Sequence, residues 1–126
     1  MKRRGLVLLA LSLPIGFVGA CGGSGRTPTP VVVGGSPDVG KREIAEHGCG
    51  SCHDIPGVKG ADGLVGPPLT KFGRRSYIAG ELNNTPDNLI RWLRDPQGVE
   101  PGTDMPDVGL SAVEARNIAA YLEGLG

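Results

Sequence analysis

The sequence predicts a small all-α domain over residues 38 to 126, with about three main helices. Three segments carry the capping residues or the apolar spacing that is typical of helices. The stretches between them are rich in glycine and proline, which suits loops that wrap around a bound group better than strands of a sheet. A domain of this size buries little core of its own, so we expect a covalently held group to fill its interior.

The first predicted helix runs from about Pro37 or Asp38 to Gly50. Gly40 and Ile44 lie one turn apart on one face of it. A glycine at such a position permits a second helix to pack closely, so this face is expected to meet another helix.

The second predicted helix begins with Thr85 as its N-cap, followed by Pro86 at the first helical position and Asp87 near the positive end of the helix dipole. It stops before Pro96, because the residue before a proline disfavours the helical conformation. Its apolar residues are Leu89, Ile90, Trp92 and Leu93.

The third predicted helix begins with a capping box, in which Ser111 and Glu114 cap each other's backbone N–H groups. Apolar residues then follow at helical spacing, namely Ala115, Ile118, Ala119 and Leu122. This helix is therefore expected to present one apolar face.

The first helix ends in the pentapeptide C-x-x-C-H, which is the attachment signature of a c-type haem. In this signature Cys49 and Cys52 each form a thioether with a haem vinyl group, and His53 becomes an axial ligand of the iron. Met105 is the candidate for the second axial ligand, because Met1 begins a segment that is expected to be removed. Methionine is a soft ligand that raises the reduction potential, which suits an electron carrier.

Two other interpretations of these residues are weaker. A thioredoxin-like redox pair would need a βαβ pattern around C-x-x-C, which the sequence lacks. Zinc could be bound by His47, Cys49, Cys52 and His53, but zinc sites usually combine two separated pairs of ligands. We expect His47 to be a solvated helix residue, because it lies too near the attachment motif to reach across the ring.

The N-terminus has the form of a secretory signal peptide over residues 1–20: a basic start, an apolar run from Gly5 to Val18, and small residues before the cleavage point. Cys21 follows directly, in a context that resembles a bacterial lipobox, where the cysteine becomes the first mature residue and carries a lipid. The alternative is ordinary cleavage, with Cys21 incidental. Residues 22–37 are rich in glycine and proline and predict a flexible tether between Cys21 and the domain.

The motifs together resemble the class I cytochromes c over essentially all of residues 38 to 126. The matching pieces, in chain order, are Gly40-x-x-x-Ile44, Cys49-x-x-Cys52-His53, Gly66-Pro67-Pro68-Leu69, Pro101-Gly102-Thr103-Asp104-Met105-Pro106 and Ile118-Ala119-Ala120-Tyr121-Leu122. Two further segments, 72–75 and 84–89, are especially similar to the cytochrome c domain fused to subunit II of caa3-type oxidases. The resemblance implies the small class I cytochrome c fold, in which the helices wrap around one covalent haem.

The resemblance also implies supporting roles in the haem pocket. Pro67 matches the proline whose carbonyl accepts a hydrogen bond from the proximal histidine. Arg74 matches an arginine near a haem propionate, and Arg75 is the alternative. Trp92 occupies the position of an aromatic residue that packs beside the methionine. Tyr121 matches an aromatic residue of the C-terminal helix that packs against the first helix.

The function expected from this sequence is single-electron transfer between respiratory complexes, at the outer face of the bacterial cytoplasmic membrane. With both axial positions filled, the iron has no substrate site, so we expect a carrier and not an enzyme. Two alternatives stay open: a permanent subunit of a terminal oxidase or other redox complex, and a haem-based gas sensor. Without residues 1–20 the chain has 10 basic and 13 acidic residues, a net charge of −3, which gives no reason to expect nucleic-acid binding. No small-molecule substrate is expected either.

Overall fold

The computed structural model describes residues 31–126. The predicted signal peptide, Cys21 and the first part of the tether lie outside these residues. The described chain is mostly helical, which confirms the predicted fold class. Its elements are α1 (Pro37–Glu46), a 3-10 turn (Cys49–Ser51), a second 3-10 turn (Phe72–Arg74), β1 (Tyr77–Ile78), β2 (Leu82–Asn83), α2 (Pro86–Arg94), α3 (Pro96–Val99) and α4 (Ala112–Glu123).

Helix α1 starts where the sequence predicts and ends earlier. The Ser36 hydroxyl accepts a hydrogen bond from the Val39 backbone N–H, which caps the helix. The predicted end at Gly50 is wrong, because Gly48 takes a left-handed conformation with φ of 70°. After Gly48 the chain tightens into the 3-10 turn Cys49–Ser51.

Helices α1 and α4 form the main packing contact of the described domain. A Cβ on Gly40 would overlap the backbone oxygen of Asn117, so only glycine lets the two helices come this close. The close packing predicted at Gly40 is therefore confirmed. Ile44 of α1 and Ile118 of α4 are each 1% exposed and belong to the same core.

Helix α2 follows the prediction, with the Thr85 hydroxyl accepting from the Asn88 N–H at 3.3 Å. The short helix α3 is not predicted by the sequence pattern. The Asp95 carboxylate accepts from the Gly98 N–H at 2.8 Å, and Pro96 occupies the first turn. The proline that ends α2 therefore also begins α3, because proline is disfavoured inside a helix but favoured at its start.

Helix α4 has the predicted capping box. The Ser111 hydroxyl accepts from the Glu114 N–H at 3.3 Å, and the Glu114 carboxylate accepts from the Ser111 N–H at 2.9 Å. The predicted apolar face is buried. Asn117 and Glu123 are also buried, which the apolar spacing did not indicate.

Residues 32–36 pack against α4. Val32 is 8% exposed and belongs to the core, and the Ser36 N–H donates to Oδ1 of Asn117 at 2.9 Å. Gly35 lies so near α4 that a Cβ on it would be 2.8 Å from the Cβ of Ala120. The prediction of an unpacked tether through residue 37 therefore does not hold for this stretch.

Strands β1 and β2 form an antiparallel hairpin in a region predicted to be loop. Its turn places Ala79 and Gly80 at positive φ, and the Glu81 N–H closes the turn on the Ile78 carbonyl at 3.0 Å. Ile78 is 2% exposed and anchors the hairpin in the core. Among residues 31–126, no helix is both long enough and apolar enough to cross a bilayer.

Candidate haem site

A cavity of about 680 Å³ lies among the helices and the loops that join them. This volume is in the range of small-molecule and cofactor sites, which is about 300–1,000 Å³. The four side chains predicted to hold the haem all line it, namely Cys49, Cys52, His53 and Met105. Of the predicted supporting residues, Pro67, Arg75 and Trp92 line it as well.

The attachment cysteines are presented by the 3-10 turn after α1. The Cys52 N–H and the His53 N–H both donate to the Cys49 carbonyl, at 3.3 and 3.1 Å. This turn brings the two cysteines and His53 to the wall of one cavity. Both thiols are free and half-buried.

The ring of His53 is oriented by the backbone of the loop opposite. Its Nδ1 lies 2.7 Å from the carbonyl oxygen of Pro67, so Nδ1–H donates and the lone pair of Nε2 is left for a metal. Gly66 lies against the ring, since a Cβ on it would be 2.7 Å from Nδ1 and 3.0 Å from Nε2. The hydrogen bond between His53 and Pro67 that the family resemblance implies is thus present. Gly66, which precedes Pro67, must be glycine because the loop lies so close to the His53 ring.

Only one of the two candidate arginines lines the cavity. Arg75 donates to the Pro68 carbonyl, and its guanidinium lies 5.4 Å from the ring centroid of Phe72. Arg74 is exposed and does not line the cavity. The sequence did not decide between Arg74 and Arg75, because the two side chains are adjacent and chemically alike.

Met105 is half-buried on the loop that follows α3, and it lines the cavity. The side-chain amide of Gln97 donates to two carbonyls of this loop, those of Thr103 at 2.9 Å and Met105 at 3.0 Å. Sequence reasoning missed Gln97. Its contacts depend on α3, a helix too short to show apolar periodicity.

The remaining walls are apolar. Trp92 is 9% exposed and lines the cavity with Leu89, Leu93, Ile118 and Leu122. Tyr121 is partly buried, and its hydroxyl donates to the Pro56 carbonyl at 2.6 Å. Burial raises the pKa of Tyr121, so the phenol keeps its proton for this bond.

His47 is not the solvated helix residue that we predict from the sequence. It caps the C-terminus of α1, its side chain is 22% exposed, and its Nε2 lies 3.2 Å from Oε1 of Glu114. Hydrogen bonds from Ser111, and then from His47, lower the pKa of Glu114 to about 2. Among residues 31–126, no group of three or more His, Cys, Asp or Glu side chains is arranged to hold a metal ion.

The cavity fits a c-type haem in its chemistry. Two thiols stand one turn apart on one wall, and a histidine with Nδ1 engaged stands beside them. A thioether and apolar side chains complete the lining. Histidine and methionine are the axial ligands of many electron-carrying cytochromes.

Comparison with known proteins agrees with this chemistry. Residues 39–126 match the protein-family model described as Cytochrome c. Cytochrome c oxidase subunit 2 of Alkalihalophilus pseudofirmus is 38% identical over 87 residues, and that of Bacillus subtilis is 34% identical over 90 residues. Each alignment covers 68% of this chain and 25% of the relative. The subunit 2 of Bacillus sp. (strain PS3) is 39% identical over 64 residues, which are 49% of this chain and 18% of the relative. The chain therefore spans a quarter or less of the length of these relatives.

Proposed function

The chain belongs to the cytochrome c family, and on that premise we propose that it is a lipid-anchored carrier that relays single electrons between respiratory complexes. The family binds a covalent c-type haem and transfers electrons through it. The observation that carries the proposal is the convergence of Cys49, Cys52, His53 and Met105 on one apolar-walled cavity.

Each of these residues has a defined task in the proposal. Cys49 and Cys52 would hold the haem covalently, and His53 and Met105 would ligate its iron. When bound, the haem supplies a one-electron iron couple. The Pro67 carbonyl fixes the tautomer of His53 and makes its ring a stronger donor. Buried apolar side chains of the cavity wall, such as Leu89 and Ile118, would pack against the haem. Because both axial positions are assigned to protein ligands, the proposal leaves no position for a substrate.

The ligand role of Met105 is tested by Met105→Ala. We expect the reduction potential to fall by on the order of 0.1 V, because the soft thioether no longer stabilises the reduced iron. We also expect the ferrous protein to bind carbon monoxide readily. A spectroelectrochemical titration and a carbon monoxide titration measure the two effects.

The matched control is Val108→Ala. Val108 lies on the same loop and also lines the cavity, but its side chain cannot bind iron. If Met105→Ala changes neither the potential nor carbon monoxide binding, another residue is the axial ligand. Ready carbon monoxide binding by the unmodified protein would favour a gas sensor over a carrier.

The proposed membrane anchor is a lipid on Cys21, which directly follows the small residues at the end of the signal sequence. Cys21→Ser is expected to move the protein from the membrane to the soluble exported fraction with an unchanged haem spectrum. Acyl chains contribute about 0.8 kcal/mol per buried methylene, so their loss should dominate over weak protein contacts with the membrane. Fractionation followed by a haem stain measures the change. A normally processed Cys21→Ser protein that stays on the membrane would contradict lipid anchoring, and a high-salt wash would then reveal whether a docked partner holds it.

The second candidate is a permanent subunit of a terminal oxidase. It is favoured by the relatives, which carry the name cytochrome c oxidase subunit 2. Affinity purification of the tagged protein from native membranes separates the two proposals. Stoichiometric recovery of an oxidase would favour the subunit, and recovery of the cytochrome alone would favour the carrier.

A further inference from the structure

We propose that Gln97 is a positioning residue that holds the Met105 loop against the cavity. The inference rests on the proposed function, which takes Met105 as an axial ligand. Gln97 donates to the carbonyls of Thr103 at 2.9 Å and Met105 at 3.0 Å. The second of these carbonyls belongs to the candidate ligand itself.

The loop that carries Met105 has few other ties. Residues 101–109 include two prolines, which have no N–H to donate, and two glycines at positive φ. Apart from the bonds to Gln97, the hydrogen bonds of this loop in the described chain stay within residues 100–109. They are Thr103 N–H to the Glu100 carbonyl at 3.1 Å, Met105 N–H to the Thr103 hydroxyl at 3.4 Å, and Gly109 N–H to the Asp107 carboxylate at 2.8 Å. Gln97 therefore supplies the hydrogen bonds that join the loop to the rest of the domain.

The backbone that carries Gln97 is itself well fixed. Asp95 caps α3 through the Gly98 N–H at 2.8 Å, and Pro96 is buried. A Cβ on Gly98 would lie 2.7 Å from Oδ1 of Asp95, so the cap needs a glycine at that position. Helix α3 thus provides a rigid base from which Gln97 reaches the loop.

The chemistry of the contact requires an amide. Both partners are carbonyl oxygens, so the group that faces them must be the NH₂ of Gln97, whose two hydrogens serve one carbonyl each. A glutamate would place an acceptor against two acceptors, and a methionine would offer no donor. Each hydrogen bond of ordinary net strength corresponds to about a three- to tenfold change in an equilibrium, so losing both favours the detached loop by about ten- to hundredfold.

The experiment compares Gln97→Met and Gln97→Glu with the unmodified holoprotein. The primary readout is the rate at which carbon monoxide binds the ferrous protein, because binding requires that Met105 leave the iron. The second readout is the absorption band of methionine-ligated ferric haem, and the third is the urea midpoint of unfolding. Arg94→Gln is the matched control, since it lowers the net charge by one, as Gln97→Glu does, at an exposed position on the neighbouring helix α2. Met105→Ala sets the value for complete loss of the ligand.

We expect both Gln97 variants to bind carbon monoxide about ten- to hundredfold faster and to show a weaker methionine band, while the unfolding equilibrium constant rises, relative to Arg94→Gln, by no more than the same factor. Unchanged rates in the Gln97 variants, with a large increase in Met105→Ala, would overturn the role of Gln97 and leave Met105 as the ligand. An unchanged rate in Met105→Ala would overturn the proposed ligand itself. Equal increases in Arg94→Gln would show a charge effect, and a shift of the unfolding equilibrium larger than the increase in rate would show general loosening. Either result would overturn the positioning role.

Discussion

Gly66→Ala is expected to displace His53 and to lower the yield of stable holoprotein by at least about tenfold. The new Cβ would lie 2.7 Å from Nδ1 and 3.0 Å from Nε2 of the His53 ring, closer than ordinary van der Waals contact. The backbone cannot retreat freely, because the Gly66 N–H donates to the Cys52 carbonyl at 2.8 Å. Overpacking of this kind costs about 1–3 kcal/mol, and here the strain falls on an iron ligand and on its bond to Pro67.

The measurement is the amount of covalently bound haem per protein, followed by nitrogen NMR of the two histidines in ferrous protein. Gly80→Ala is the control. Gly80 has φ of +80°, and a Cβ at this position would have nothing within 4 Å, so alanine there strains the hairpin turn by about 1–2 kcal/mol without touching the site. If Gly66→Ala keeps the haem content and the His53 signals of the unmodified protein, the close approach does not constrain the ring.

Glu123→Gln is expected to stabilise the protein by about 3 kcal/mol at pH 8 and to have little effect at pH 4. Glu123 is 1% exposed, and neither of its side-chain oxygens has a hydrogen-bond partner among the described residues. Burial raises the pKa of Glu123 from its ordinary value of 4.5 to about 7. Each unit of difference between the folded and unfolded pKa corresponds to about 1.4 kcal/mol of stability.

The sign of this effect follows from proton binding. Between pH 4.5 and 7 the folded state holds a proton on Glu123 that the unfolded state has lost, so the free energy of unfolding decreases as the pH rises through this window. Glutamine keeps the shape of the neutral acid and does not titrate, so the variant should lack this part of the pH dependence. Above pH 7 the difference between the two proteins should be constant.

Urea unfolding of the ferric holoprotein at several pH values measures the difference between the two proteins. Glu81→Gln, at an exposed carboxylate in the hairpin, should keep the pH dependence of the unmodified protein. A difference between Glu123→Gln and the unmodified protein that does not change with pH would contradict a buried neutral acid.

Much of the site was predictable because its chemistry is encoded locally. C-x-x-C-H places three functional groups on one turn, and Thr85, Ser111 and Glu114 cap helices through contacts within three residues. The close packing at Gly40 was predictable because a glycine inside a helix weakens that helix. Its presence on an apolar face therefore indicates that another backbone packs closely there. For these features the signal lies within one turn of backbone or on one helix face, and sequence and structure agree.

The features that the sequence did not predict leave no periodic or capping pattern in the sequence. Val32 belongs to the core although it precedes α1, and a short valine run between Pro30 and Gly34 resembles a linker. Strands β1 and β2 have two residues each, too few for an alternating pattern. Gln97 is an exposed polar residue whose partners are carbonyl groups, and carbonyl groups are present at every position.

The docking of residues 32–36 on α4 has a consequence for the range over which the domain can act. Only ten residues separate Cys21 from Val32. A chain extends at most about 3.5 Å per residue, so a lipid on Cys21 would confine the start of the domain to within roughly 40 Å of the membrane surface. Confinement by so short a linker corresponds to an effective concentration on the order of millimolar for any partner site within reach. Encounters would then be governed by lateral diffusion in the membrane. A partner would be beyond reach if its electron-accepting site stood farther from the membrane than the extended linker plus the width of the domain.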